Sequence, residues 1–157
     1  MIDIGDAAPA FSLPASGGKT ITLSDLIANG PAVLFFYPKD DTSGCTAESI
    51  DFSGLREAFI WAGATVTGIS PDSARTHDRF RKKHGLTVDL VSDEAKTTLE
   101  AYGVWVEKSM YGRKYMGVQR STFIIGTDGR IARVWRKVSV PGHAAEVLDA
   151  VEALTRS

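Results

Sequence analysis

Ala32 to Tyr37 is a continuous apolar run rich in aromatic residues, too short for a helix and bounded by Pro31 and Pro38. That pattern predicts a central strand buried on both faces. Ahead of it, short alternating pieces around Phe11–Leu13 and Thr20–Leu23, separated by Pro14 and Gly17-Gly18, predict a small hairpin. Ser24 is a candidate cap for a helical turn over Asp25–Ala28, which stops at Asn29-Gly30. Behind the strand, Phe52, Leu55, Phe59 and Ala62 recur at steps of three and four, so a helix packed on a sheet is expected from Thr46 to Ala62. Gly54 inside it weakens it by about 1 kcal/mol relative to Ala, and a bend is expected there.

Ala64–Ile69 reads as the next strand, and Ser70-Pro71-Asp72 as a helix start with Ser70 as the cap and Pro71 at the first helical position. The helix from about Ser73 to His84 carries Arg75, Arg79, Arg81, Lys82 and Lys83 against little but Phe80, so it is expected at the surface; Gly85 ends it. Val88–Val91 is a strand, Ser92 a cap for a short helix to about Tyr102, and Gly103 its stop. Trp105–Met116 is polar and aromatic with no clear period, a candidate functional loop. Ser121–Ile125 and Ile131–Val138 flank an Asp128-Gly129 turn and predict a hairpin, and Ala144, Val147, Leu148, Val151 and Leu154 line a last helix. Early alternation and a late hairpin imply an α/β sandwich with a mixed central sheet flanked by helices. The layout resembles a thioredoxin-like fold with an N-terminal β-hairpin extension.

The length of 157 residues suits a single domain over 1–157. A net charge of -1 provides no basic excess for nucleic acid, and no apolar run of about 18 residues is present for a membrane span. Met1–Asp6 carries acids rather than a basic leader, so a cytoplasmic location is expected. His77 and His84 lie on one expected helix with no third ligand near and His143 far off in sequence, so they read as solvated histidines rather than a metal site. The basic face from Arg75 to Lys83 likewise reads as solvated, with docking of an acidic reductant as its functional alternative. The glycine pairs are turns without a phosphate-loop pattern.

Cys45 is the only cysteine, which excludes an internal disulfide. A lone cysteine is commonly a small buried hydrophobe. This one, however, follows Gly44 in the first turn of the helix expected behind the central strand, where free N–H groups and the helix dipole favour a thiolate. Thr42, three residues earlier, offers a hydroxyl above the sulfur, and Pro38 opens the loop and would cover one side of a pocket.

Tyr37-Pro38-Lys39-Asp40-Asp41-Thr42-Ser43-Gly44-Cys45-Thr46-Ala47-Glu48 resembles the active-site segment of the peroxiredoxins, with their Pro-x-x-x-Thr-x-x-Cys core, and specifically the bacterioferritin-comigratory or PrxQ subfamily. Tyr102-Gly103-Val104-Trp105 and Arg120-Ser121-Thr122-Phe123 extend the resemblance along the chain. It implies a peroxide-reducing site of Pro38, Thr42, Cys45 and Arg120, with Glu48 orienting the arginine and Gly44, Thr42 and Arg120 binding the substrate. It implies attack of the Cys45 thiolate on a hydroperoxide to give a sulfenic acid, with no metal or bound cofactor, in a monomer or weak homodimer.

Two positions depart from that pattern. Ile50 stands where many members carry a resolving cysteine, so recycling must come from an external thiol: thioredoxin, glutaredoxin, a low-molecular-weight thiol or a partner protein. Ser43 replaces the more usual proline before Gly44. A dithiol reductase would need Cys-x-x-Cys, which Gly44–Glu48 lacks. The alternative from another class is a peroxide-sensing thiol relay that passes oxidation from the same cysteine to a partner protein.

Overall fold

The structure is a computed structural model and describes residues 1–156. Its centre is a five-stranded mixed sheet in the order β5-β4-β3-β8-β9, comprising β3 (Ala32–Phe36), β4 (Thr65–Ser70), β5 (Asp89–Ser92), β8 (Ser121–Ile125) and β9 (Ile131–Arg136). The β3–β4 and β4–β5 pairs are parallel; β3–β8 and β8–β9 are antiparallel. The expected thioredoxin-like architecture is therefore what the chain adopts. Every residue of β3 is fully buried because the sheet is covered on both faces. Val33, Phe35 and Tyr37 pack on one side with Phe52, Phe59, Phe80 and Val147; Ala32, Leu34 and Phe36 pack on the other with Leu99, Tyr102 and Phe123. Gly68 on β4 makes room for this packing: a β-carbon there would lie 2.7 Å from Cζ of Phe35.

The N-terminal hairpin, β1 (Ser12–Pro14) with β2 (Thr20–Thr22), is connected through a single 3-10 turn at Ser16–Gly18, and Ala15 just before that turn forms an isolated bridge with Val91. Ser16 Oγ also accepts from the Leu90 N–H at 3.2 Å, so the extension covers the β5 edge of the sheet.

Helix boundaries depart from the sequence expectations where caps compete. The first helix, α1 (Leu23–Leu26), is capped by Thr22, whose hydroxyl accepts from the Asp25 N–H; Ser24 lies inside it. The single helix expected over 46–62 is two, α2 (Ser43–Gly54) and α3 (Arg56–Trp61), broken at Leu55 beside the glycine that weakens it. Ser70 and Pro71 do not start a helix. Ser70 completes β4, and α4 (Ala74–His84) is capped by Ser73, which accepts from the Thr76 N–H at 3.1 Å. Ser92 similarly ends β5; α5 (Thr97–Ala101) starts later, with the Asp93 carboxylate accepting from the Leu99 N–H at 2.8 Å.

The candidate loop at 105–116 is a hairpin, β6 (Trp105–Met110) with β7 (Arg113–Val118), outside the main sheet. Most of its residues are exposed on both faces, so nothing imposes an alternating pattern. The last helix, α6 (His143–Thr155), buries Ala144, Val147 and Val151 as expected, with Leu154 still 41% exposed. Among the described residues no helix is long and apolar enough to cross a membrane.

Candidate active site

Pro38 follows the end of β3, and five residues later the chain enters α2 at Ser43. The first intrahelical hydrogen bond runs from the Thr46 N–H to the Thr42 carbonyl at 2.9 Å. The N–H groups of Ser43, Gly44 and Cys45 thus precede the helical ladder and are available to an anion. Cys45 is in this first turn and is 1% exposed. Thr42 occupies the N-cap position without capping; its hydroxyl donates to the Lys39 carbonyl at 2.8 Å. A hydroxyl bonded that way still has lone pairs to accept with. Pro38 is half-buried at the head of this loop.

The sheet register brings in the distant partner. β8 runs antiparallel to β3 with Ser121 opposite Phe36, so Arg120 lies beside the end of β3 from which the Cys45 loop departs. Its Nη2 donates to Cys45 Sγ at 3.3 Å and its Nη1 to Glu48 Oε1 at 2.6 Å. One guanidinium thereby spans the thiol and a carboxylate one helical turn below it. Burial works against the Arg120 charge, but Glu48 and Cys45 outweigh it and hold the guanidinium firmly protonated. Burial pushes the Glu48 carboxyl up to about 7, with Arg120 opposing. The 2.6 Å ion pair does not offset that cost, because Oε2 is buried without a hydrogen-bond partner among the described residues.

Arg120 therefore joins Gly44, Cys45 and Glu48 in one cluster, while Thr42 stands at the N-cap of the same helix and Pro38 at the head of the loop. Lys108 on β6 is a further cation that sequence reading did not single out. Its ammonium is pushed below its usual range by burial and by Arg120, with Cys45 opposing. Its stem lies over Gly117, where a β-carbon would come within 3.3 Å of Lys108 Cδ.

Two histidines are buried rather than solvated as expected, and His84 is partly exposed. His77 is fully buried and bonded to Asp40 and to the Val91 carbonyl; His143 is buried with Nε2 2.8 Å from Thr122 Oγ1; His84 pairs with Asp41. Asp40, Asp72 and His77 offer ligand atoms within 4.8 Å of one another. Those atoms are already committed to hydrogen bonds with Tyr37, Ser70 and one another, which argues for a structural network rather than a metal site.

Comparisons with known proteins identify the family. Residues 4–134 match the AhpC/TSA family. The chain is 42% identical to peroxiredoxin Bcp of Bacillus subtilis over 98% of both chains. It superposes with a TM-score of 0.90 and 41% identity on the Xanthomonas campestris bacterioferritin comigratory protein, covering 98% of this chain and 99% of that one. PrxQ of Xylella fastidiosa, in a mutant form, aligns with a TM-score of 0.92 and 43% identity over 98% and 97%. An arginine that bridges a helix-first-turn thiol and a buried glutamate, on a fold shared over nearly its whole length, places this chain in the AhpC/TSA family as a Bcp/PrxQ-type peroxiredoxin with a single cysteine.

Proposed function

We propose that the protein is a thiol-dependent peroxidase that reduces hydrogen peroxide and organic hydroperoxides at Cys45 and is recycled by an external thiol. The observation that carries the reading is Arg120 Nη2 at 3.3 Å from a sulfur that is 1% exposed. A sulfur so enclosed beside a fixed cation suits a small, two-oxygen substrate head better than a bulky one. The solved Xanthomonas campestris relative is described in terms of alkyl peroxide reduction, which supports the organic substrate class.

In the first half-reaction the Cys45 thiolate attacks the terminal peroxide oxygen and the O–O bond breaks. Sulfur is oxidised to Cys–SOH, and the departing hydroxide or alkoxide takes a proton from solvent to leave as water or an alcohol. Thr42 accepts from the peroxide O–H, while Arg120 and the free N–H groups at Gly44 and Cys45 stabilise charge moving onto the oxygens. In the second half, an external thiol displaces water from Cys–SOH to form a mixed disulfide, and another thiol releases Cys45. Ile50 occupies the α2 position where a resolving cysteine would have made this step internal. We place the activity in the cytoplasm as an antioxidant function, where thioredoxin, glutaredoxin and low-molecular-weight thiols are kept reduced, and in a monomer or weak homodimer.

Peroxide consumption with dithiothreitol as donor tests the reading. Cys45→Ser should be inactive, and Arg120→Ala should oxidise at least about tenfold more slowly, near 1.4 kcal/mol of lost transition-state stabilisation. Unchanged turnover in Cys45→Ser would reject it.

A further inference from the structure

The segment between Tyr37 and Thr42, which leads into the Cys45 helix, is tied to α4 by two sets of bonds. The inner set is buried. Asp40 Oδ2 is 2.7 Å from His77 Nδ1, Asp40 Oδ1 accepts from the Tyr37 hydroxyl at 2.6 Å, and the Asp40 N–H donates to Asp72 Oδ2 at 2.8 Å. His77 Nε2 is 2.9 Å from the Val91 carbonyl, which can only accept, so Nε2 carries hydrogen. The other nitrogen faces a carboxylate. Asp40 and His77 are therefore hydrogen-bonded in a fully enclosed contact, with His77 anchored to β5 behind it. The outer set is exposed: Asp41 pairs with Lys83 at 2.7 Å and with His84 at 2.8 Å. Asp41 itself has φ +62, a conformation that a non-glycine residue adopts at a cost and that these flanking bonds maintain.

Cys45 has no exposed route to a thiol-bearing partner in this closed form. We propose that Asp40 and His77 are positioning residues: they latch the 38–42 segment onto α4, assisted by Asp41 with Lys83 and His84. The strength of this latch sets the balance between the closed form that reacts with peroxide and an open form in which Sγ meets an external thiol. The proposal rests on the peroxidase reading for its consequence but not for its test. Neither residue touches the sulfur; both act through the loop that carries Thr42. Weakening the latch then has opposite effects on the two half-reactions, because oxidation uses the closed form and recycling the open one.

The test uses the single cysteine as its own probe. Reduced protein is labelled with a polymer-linked maleimide, and oxidation by peroxide and reduction of the sulfenic acid by dithiothreitol are timed separately. Asp40→Asn and His77→Gln should label more than about twofold faster without a change in near-UV circular dichroism, oxidise more slowly and be reduced faster. Lys83→Met should move the same way to a smaller extent, and Lys83→Arg, which keeps the ion pair, should label at the parental rate. Labelling within twofold of the parent in folded Asp40→Asn and His77→Gln overturns the proposal, as does slowing of both half-reactions together. If neither buried variant folds, Asp41→Ala decides: labelling more than twofold faster supports the latch, and twofold or less overturns it. Faster labelling in a protein whose parent consumes no peroxide would sink the peroxidase reading and leave the latch standing.

Discussion

A β-carbon on Gly44 would lie 3.2 Å from Nη2 of Arg120, the nitrogen that also donates to Cys45. The guanidinium thus rests against bare backbone in the first turn of α2, and the absence of a side chain at Gly44 sets how closely it approaches the sulfur.

Gly44→Ala should therefore separate stability from activity. Alanine is the better helix former by up to about 1 kcal/mol, and the contact requires Arg120 to give by only tenths of an ångström. Urea unfolding is expected to show equal or slightly higher stability. Stopped-flow oxidation should slow by roughly three- to tenfold, since a displaced donor loses part of its charge stabilisation.

Glu48 gives the protein a pH signature. Burial raises its carboxyl from an ordinary 4.5 to about 7. Between those values the unfolded chain has ionised this group and the folded protein has not. The stability it contributes is fully present below 4.5 and is lost as pH rises through about 7. The loss amounts to about 3 kcal/mol. Glu48→Gln removes the titration, so the unfolding free energy of wild type relative to the variant should fall by that order across this window. A difference independent of pH would contradict it.

Lys108 should assist the chemistry by charge alone. Lys108→Met is expected to slow oxidation by about fivefold, near 1 kcal/mol for a partly screened cation, while Lys108→Arg should retain most of the rate. Raising the ionic strength should narrow the gap between wild type and Met, which the same stopped-flow experiment measures.

Ile50→Cys should reveal what recycling demands of α2. Five residues along a helix rise about 7.5 Å, and a disulfide bridges Cα atoms less than about 7 Å apart. Ile50 is 45% exposed while Cys45 is 1% exposed, so the two sit on different faces. After one equivalent of peroxide the variant should form an internal disulfide only as α2 unwinds, accelerated by low urea and followed by mass and free-thiol content. Disulfide formation with unchanged far-UV circular dichroism would argue against this requirement.

What was legible in the sequence was what is contiguous in the chain. The apolar run of β3, its stop at Pro38 and the entry into a helix at Cys45 are local, and local sterics and capping decide them. The mixed character of the sheet could be read from alternation early and a hairpin late, whereas the strand order came from the tertiary structure. Arg120, by contrast, is an ordinary strand-start arginine on residue type alone; resemblance singled it out, and the antiparallel β3–β8 register brings it to the sulfur. Caps were misplaced at Ser24, Ser70 and Ser92 because hydroxyl residues compete at every helix start and tertiary contacts choose among them. The β6–β7 ribbon showed no period because only its base, at Trp105 and Val118, packs on the core, and most of its other residues are exposed. His77 looked solvated on a basic helix, yet its partners Asp40 and the Val91 carbonyl lie 37 and 14 residues away. Only folding brings a donor to those acceptors, and their burial makes the pairing obligatory. The sequence by itself determined which thiol is poised to react, whereas the tertiary structure decided which charges surround it and what holds its loop closed.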